Sequence, residues 1–226
     1  MNKNKRKLAA LAAVVFGFCA VSAHADAKSD ALVQAALNNN VAEAKRLIAA
    51  GADVNAMGVF GFLAYTPLMI AADKNSTDVA KVLIEAGVDV NAKDFSGNAS
   101  LYYAASKNSA DVAKLLIEAG ANVDAKGDYG ETALMQAASR DSTDVAKVLI
   151  KAGADVNAKN KGGTTALMEA AYEDSTDVAK VLIEAGADVN ARNNNGWTAL
   201  KYATTGSFGI SKEKVKKVLE AAGAQY

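Results

Sequence analysis

Hydrophobic residues with helical spacing recur at regular intervals along the chain. Val79, Val82 and Leu83 form one such group, and the same arrangement starts again at Val145. The spacing i, i+3, i+4 is typical of the buried face of an amphipathic helix. An aspartate lies near the start of each predicted helix, where the helix dipole favours a carboxylate. These aspartates are Asp78, Asp111, Asp144 and Asp177. The glycines that end the helices are Gly87, Gly120, Gly153 and Gly186.

A second, shorter pattern precedes each of these helices. It begins with Thr-x-Leu and continues with a pair of alanines, and the threonines are Thr66, Thr132, Thr165 and Thr198. A threonine side chain can cap the free amides of a helix start, and Pro67 suits a first helical position. The pattern predicts a short helix that ends at a residue type tolerant of left-handed backbone, namely Asn75, Asn108, Asp141 or Asp174.

On the outer face of the second helix, lysines precede glutamates by four residues, which predicts surface ion pairs of a few tenths of a kcal/mol each. The predicted pairs are Lys81 with Glu85, Lys114 with Glu118, and Lys180 with Glu184.

The two predicted helices form a unit that repeats along the chain. Gly-Ala-Asp-Val-Asn-Ala starts at Gly51, Gly153 and Gly186, with variants at Gly87 and Gly120, so 33 residues is the commonest interval. One helix pair cannot cover its own apolar face, whereas stacked pairs share a continuous core. The sequence therefore predicts an all-α solenoid of stacked helix-turn-helix units. The polar, glycine-punctuated stretches between units are predicted to project as hairpin-like fingers.

The unit resembles the ankyrin repeat. The resemblance is carried by Thr-Pro-Leu-Met-Ile-Ala-Ala from Thr66 and by Val-Leu-Ile-Glu-Ala-Gly-Val-Asp-Val-Asn-Ala from Val82, and it extends from about Ser29 to Ala224. It implies an ankyrin-repeat solenoid with about five full repeats at 51–222, preceded by a capping helix pair at 29–50. Lysines of the last helix pair would close the other end: Lys212, Lys214, Lys216 and Lys217.

The chain departs from the ankyrin pattern at the histidine that follows Thr-Pro-Leu. The residues at that position are Met69, Tyr102, Met135, Met168 and Lys201. The hydrogen bonds that the family's histidines make between first helices are not expected where methionine replaces them. The methionine column could suggest a soft-metal ladder, but packing between helices is the favoured interpretation.

The first 25 residues have the layout of a signal peptide. Basic residues precede an apolar run from Leu8 to Val21, and Ala23 and Ala25 fit the small-x-small pattern before a cleavage site. Fourteen apolar residues fall short of the roughly 20 that a membrane-spanning helix needs. We expect export through the Sec system, cleavage after Ala25, a periplasmic or secreted location, and one ankyrin-repeat domain at 26–226 without membrane insertion.

Cleavage would remove Cys19 and His24, the only cysteine and the only histidine. Cysteine nucleophiles, serine–histidine pairs and Cys/His zinc sites are then unavailable. No Gly-x-x-x-x-Gly-Lys loop is present, so we expect no cofactor. Four of the 25 basic residues would also be lost against 25 acidic ones, and the resulting charge of about −4 disfavours nucleic acid.

Paired carboxylates are the one catalytic arrangement that the repeat could supply. The solenoid would align Asp155 with Asp188 and Asp144 with Asp177, and two acids can support glycoside hydrolysis. Backbone capping explains the same aspartates, and it is the favoured interpretation.

Aromatic residues concentrate in the fingers and first helices, and none lies in a predicted second helix. In the ankyrin arrangement these elements line the concave, partner-binding face, and aromatic side chains are favoured interface anchors. The candidate partner-binding residues are Phe60, Phe62, Tyr65, Phe95, Tyr129, Tyr172 and Trp197.

The first finger, Met57 to Tyr65, is uncharged and carries the three extra residues. Such an exposed apolar loop could bind a partner. Alternatively, it could fold back over the N-terminal helix pair as part of the cap.

The function predicted from the sequence is a non-enzymatic protein–protein interaction module of the bacterial envelope, expected to be a monomer. Its partner could be a toxin that it masks, in an immunity-type role, or a periplasmic enzyme that it stabilises. A secreted factor acting on host proteins is a further alternative. A carboxylate-based cell-wall hydrolase is the least favoured hypothesis.

Overall fold

The computed structural model describes residues 27–60, 63–205 and 212–225, with no side chains described at 59–64. The predicted signal peptide and its cleavage site lie outside these residues, as do Phe62, the side chain of Phe60, and residues 206–211 of the last repeat.

The described residues form twelve helices in six consecutive pairs. The pairs are α1 (Ala27–Leu37) with α2 (Val41–Ala49), α3 (Pro67–Asp73) with α4 (Thr77–Glu85), α5 (Ser100–Ser106) with α6 (Ala110–Glu118), α7 (Ala133–Ser139) with α8 (Thr143–Lys151), α9 (Ala166–Glu173) with α10 (Thr176–Glu184), and α11 (Ala199–Thr205) with α12 (Glu213–Ala221). First helices pack on first helices and second helices on second helices of the next pair. The predicted helical solenoid is confirmed.

The predicted helix starts and turns are confirmed at the level of single atoms. The Oγ1 atoms of Thr66, Thr132 and Thr165 accept the backbone N–H three residues later at 3.2, 3.3 and 3.4 Å. The residues between the helices of a pair have left-handed backbone, with φ of 54°, 54°, 52° and 64° at Asn75, Asn108, Asp141 and Asp174. These repeats therefore begin and turn through short-range interactions of their own sequence, whereas the helix Ser100–Ser106 starts after Ala99 without a side-chain cap.

The core runs along the whole stack. Fully buried leucines recur in the second helices, as at Leu83, Leu116, Leu149 and Leu182, and fully buried alanines recur in the first helices. Met69, Met135 and Met168 are buried as well, and the Sδ atom of Met69 accepts the N–H of Thr66 at 3.5 Å. The methionine column thus packs in the core, as the sequence indicated.

The predicted lysine–glutamate pairs are wrong at all three positions, because none of them lies within ion-pair distance and two of the lysines bind aspartates instead. Lys114 binds Asp111 at 3.0 Å and Lys180 binds Asp177 at 2.9 Å, each aspartate lying three residues before its lysine. An acid on the N-terminal side of a base is the orientation that the helix dipole favours. Because all four side chains are exposed, these pairs add little to stability.

The fingers are joined to one another along the stack. Asn55 accepts the N–H of Asp89 at 2.8 Å, and the same contact recurs from Asn91 to Asn122 at 2.8 Å and from Asn157 to Asp188 at 2.8 Å. Among the described residues only the first finger contains strands: β1 (Gly58–Phe60) pairs antiparallel with β2 (Leu63–Tyr65). The later fingers lack its extra residues and close through two main-chain bonds, such as Asp94 N–H to Asn98 O at 2.9 Å and Gly97 N–H to Asp94 O at 3.1 Å.

No helix in the described part of the chain has the length and apolar character needed to cross a bilayer.

Candidate partner-binding groove

A groove runs between the fingers and the first helices, which we call the finger groove. Its finger side is formed by the residues just before the capping position: Tyr65, Asn98, Glu131, Thr164 and Trp197. Its floor is formed by two adjacent positions of each first helix, four and five residues after the finger residue. They include Tyr102, Tyr103, Gln136, Glu169 and Tyr202. Both sets recur at the 33-residue period, so the stack places them in two parallel columns.

A tyrosine cluster occupies the N-terminal end of the finger groove. The rings of Tyr65 and Tyr103 meet edge to face with centroids 5.3 Å apart, and Tyr102 contacts Tyr103 at 5.8 Å. The Tyr103 hydroxyl donates a hydrogen bond to the Asp94 carboxylate. Burial, followed by this carboxylate, raises the pKa of Tyr103, which stays protonated at neutral pH. Tyr65 is thereby fixed in the groove wall, with only part of its ring exposed.

A second aromatic cluster occupies the C-terminal end. Tyr202 contacts Trp197 at a centroid distance of 5.2 Å and Tyr172 at 5.9 Å. The Tyr202 hydroxyl accepts a hydrogen bond from the side-chain amide of Asn193 at 2.9 Å, and the Lys212 ammonium lies 4.9 Å from the centre of the Tyr172 ring. Trp197 and Tyr172 nevertheless remain 39% and 40% exposed, so each presents a held ring to solvent.

The most exposed aromatic rings lie on the fingers between these clusters. Phe95 is 57% exposed and Tyr129 is 72% exposed. The neighbouring fingers hold them in place through the backbone, since Asp128 N–H donates to Ser96 O at 2.8 Å and Lys161 N–H donates to Tyr129 O at 2.9 Å. Of the seven candidate residues, Phe95, Tyr129, Tyr172 and Trp197 are thus exposed on the described structure, and Tyr65 is packed. Phe62 and the side chain of Phe60 lie outside it.

A pocket of about 350 Å³ opens in the middle of the finger groove. It lies between the second finger, at Ser96 and Asn98, and the third finger, at Tyr129 and Glu131. Its floor includes Tyr102, Met135, Gln136, Ser139 and Glu169 from three successive first helices. We call it the central pocket.

Carboxylates give the central pocket a negative character. Burial, then Glu173, then Glu131 raise the pKa of Glu169, because a desolvated carboxyl beside other carboxylates resists ionisation. Burial and Glu131 likewise raise the pKa of Tyr102. Glu169 is not among the predicted site residues, although the 33-residue period places it in the same column as Tyr103 and Tyr202.

The base of the first finger packs against the N-terminal helix pair. Gly58 is buried, and a Cβ atom added there would lie 2.7 Å from Cγ2 of Val33 in α1. This contact agrees with the capping interpretation for the base of the finger, whereas the side chains of its tip are outside the described residues.

The aligned aspartates have structural partners. Asp155 accepts the N–H of Asn157 at 2.9 Å and Asp188 accepts the N–H of Asn190 at 2.9 Å, so these two cap turns as expected. Asp144 and Asp177 instead bind the side chains of Asn108 and Lys180. Within the described ranges no group of three or more Asp, Glu, His or Cys residues is placed to hold a metal ion.

Comparisons with known proteins agree with this geometry. A family model described as ankyrin repeats (3 copies) matches residues 7–94 and 94–160, and one described as ankyrin repeats (many copies) matches residues 149–203. No curated protein matches the chain significantly.

Proposed function

Because the chain belongs to the ankyrin-repeat family, whose members are generally protein–protein interaction modules, we propose that it binds a protein partner through the finger groove without catalysing a reaction. The partner contacts the exposed rings of Phe95, Tyr129, Tyr172 and Trp197 and spans the central pocket. We further propose that this happens outside the cytoplasm, after export and removal of residues 1–25.

The observation that carries the proposal is the segregation of exposed aromatic side chains. Every large hydrophobic side chain that stands out as exposed in the described residues belongs to a finger or a first helix. Aromatic rings held in place on a rigid scaffold lose little conformational entropy on binding and commonly act as hot spots. The length of the groove, from the second finger to α11, suits an extended polypeptide or a protein surface better than a small molecule.

Site-specific photocrosslinking in the cells that make the protein tests this proposal. A photoreactive phenylalanine analogue placed at position 95 or 129 should yield one defined adduct with the partner. The matched controls are Lys81 and Lys147, which are exposed on second helices, and they should yield no such adduct. Equal adducts on both faces, or adducts only at the control positions, would contradict the groove.

Alanine substitution then measures what the rings contribute. The double variant Phe95→Ala/Tyr129→Ala should weaken the isolated partner's binding by about 30- to 1,000-fold, since each hot-spot ring contributes on the order of 1–2 kcal/mol. Both side chains are more than half exposed, so the melting temperature should be unchanged. Lys81→Ala/Lys147→Ala should leave affinity intact.

Cell fractionation with N-terminal sequencing tests the location. A mature chain that begins at Asp26 in the periplasm or medium supports export, whereas an intact N-terminus in the cytoplasm refutes it. The partner's identity then separates the roles left open by the sequence: a toxin indicates an immunity-type role, a resident enzyme indicates stabilisation, and a host protein indicates a secreted factor.

A further inference from the structure

The central pocket differs from the rest of the finger groove in combining carboxylates with aromatic walls. Glu131 comes from the third finger and Glu169 from α9, and both line the same 350 Å³ space. Neither carboxylate forms an ion pair or side-chain hydrogen bond within the described part of the chain. Their 38-residue separation in sequence shows that only the stacking of repeats brings them together.

Arg140 lies close enough to lower the pKa of Tyr102 in the same pocket, but the charged groups that influence the pKa of Glu169 are all acidic. Its nearest charged neighbours of note are Glu173 and Glu131, and together with burial they raise its pKa. A positive charge entering the pocket would relieve this like-charge repulsion and compensate the desolvation. A neutral or acidic group would gain neither benefit.

The walls of the central pocket favour a planar cation. The rings of Tyr102 and Tyr129 line it together with the amide of Gln136. A planar guanidinium can stack on an aromatic ring while its N–H groups donate to carboxylates, which a lysine ammonium cannot do in the same fixed geometry.

From this charge complementarity and these walls, we propose that the central pocket binds an arginine side chain of the protein partner, with Glu131 and Glu169 accepting its hydrogen bonds between Tyr102 and Tyr129. The proposal rests on the proposed function, because it assigns one subsite of the same groove.

The test uses the isotope-labelled mature chain and the tripeptide acetyl-Gly-Arg-Gly-amide. Saturable amide shifts are expected at Tyr102, Tyr129, Gln136 and Glu169 in heteronuclear NMR spectra. The same peptide with citrulline, the neutral analogue of arginine, should bind at least about tenfold more weakly, and the lysine peptide should also be weaker. The carboxyl titration of Glu169 should move to lower pH when the arginine peptide is bound.

The variant Glu131→Gln/Glu169→Gln should lose the arginine response by about tenfold or more. Its matched control, Glu85→Gln/Glu118→Gln, removes the same charge from the exposed faces of second helices and should bind as the parent does. If the double variant misfolds, Glu131→Gln alone, at a partly exposed position of the finger, provides the same comparison.

Equal binding of the arginine, lysine and citrulline peptides would overturn the proposal, as would shifts that map elsewhere or persist in Glu131→Gln/Glu169→Gln. Photocrosslinking at positions 95 and 129 in that variant distinguishes a wrong arginine subsite from a wrong assignment of partner binding to the finger groove. If the tripeptide test fails while the adducts persist, partner binding stands and the arginine subsite falls. If the parent chain gives no adducts at 95 and 129, the proposed function itself falls.

Discussion

At the residue scale, the turn between the two helices of a repeat shows how one atom changes a contact between repeats. Asn108 has left-handed backbone. Its side-chain Nδ2 donates to the Asp144 carboxylate at 3.3 Å, and its side-chain Oδ1 accepts the N–H of Val145 at 3.2 Å. Asp141 holds the equivalent position one repeat later, where it faces Asp177. A carboxylate cannot donate a hydrogen bond to Asp177 as the amide of Asn108 does to Asp144. Burial and the charges of Asp177 and Asp174 instead raise the pKa of Asp141.

The substitution Asp141→Asn is therefore expected to stabilise the protein at neutral pH. A carboxyl whose folded pKa is raised binds protons more tightly in the folded than in the unfolded state, so its ionisation lowers stability as pH rises. The melting temperature of Asp141→Asn should exceed that of the parent at pH 7. The difference should narrow as pH falls towards 3.8, the ordinary value, where both states become protonated.

Melting curves from pH 3 to 8 measure the effect, and the reverse substitution is the control. Asn108→Asp places a carboxylate opposite Asp144 and should lower the melting temperature at pH 7 but much less in acid. A pH-independent difference in both variants would contradict the electrostatic explanation.

At the element scale, the fingers act as one surface because each is bonded to the next. Asn194 N–H donates to Gly162 O at 3.0 Å, repeating the contacts of the second and third fingers. Gly163 lies at this junction, where an added Cβ would be 2.8 Å from the backbone nitrogen of Asn194. Gly196 occupies the same position in the last finger with the same φ of +76° and nothing within 4 Å.

Alanine substitutions of Gly163 and Gly196 distinguish the cost of backbone strain from the cost of disturbed packing between fingers. Gly196→Ala should cost about 1–2 kcal/mol, the penalty of a left-handed backbone for a residue with a Cβ. Gly163→Ala should cost more, because the fourth and fifth fingers must also move apart. Urea denaturation gives both free energies of unfolding, and amide shifts should change across the neighbouring finger only in Gly163→Ala. Equal losses of unfolding free energy in the two variants would show that the contact between the fourth and fifth fingers adjusts at no measurable cost.

At the scale of the whole molecule, the helix contacts of the described residues run within a pair or between consecutive pairs. Stability is then close to a sum of repeat terms and neighbour interfaces. Thr132 and Thr165 hold equivalent positions in consecutive repeats. One whole repeat can therefore be deleted between them while the repeats on either side keep the surfaces through which they pack.

Deletion of residues 133–165 should leave a folded, shorter solenoid. Its urea m-value should fall by about one sixth, in proportion to the surface that one of six helix pairs buries. Deletion of 133–142 removes fewer residues, yet it should destabilise the protein more, because α8 then has no first helix to pack on. The prediction fails if the two deletions rank in the opposite order.

The sequence alone was sufficient for the helix pairs, their threonine caps, their left-handed turns and their stacking. These features depend on interactions within about ten residues and on a period that repeats, so the same signal was present several times over. The aromatic segregation that marks the finger groove was also visible in the sequence, because it follows from which element each ring belongs to.

Only the tertiary structure decided which side chains meet across repeats. It buried part of Tyr65 against Tyr103 while leaving Tyr129 exposed, paired Lys114 with Asp111, and brought Glu131 and Glu169 into one pocket. The reason is geometric. The period of the sequence determines which residues share a column along the stack. The rotation and distance between stacked repeats determine which columns face each other and which side chains come into contact.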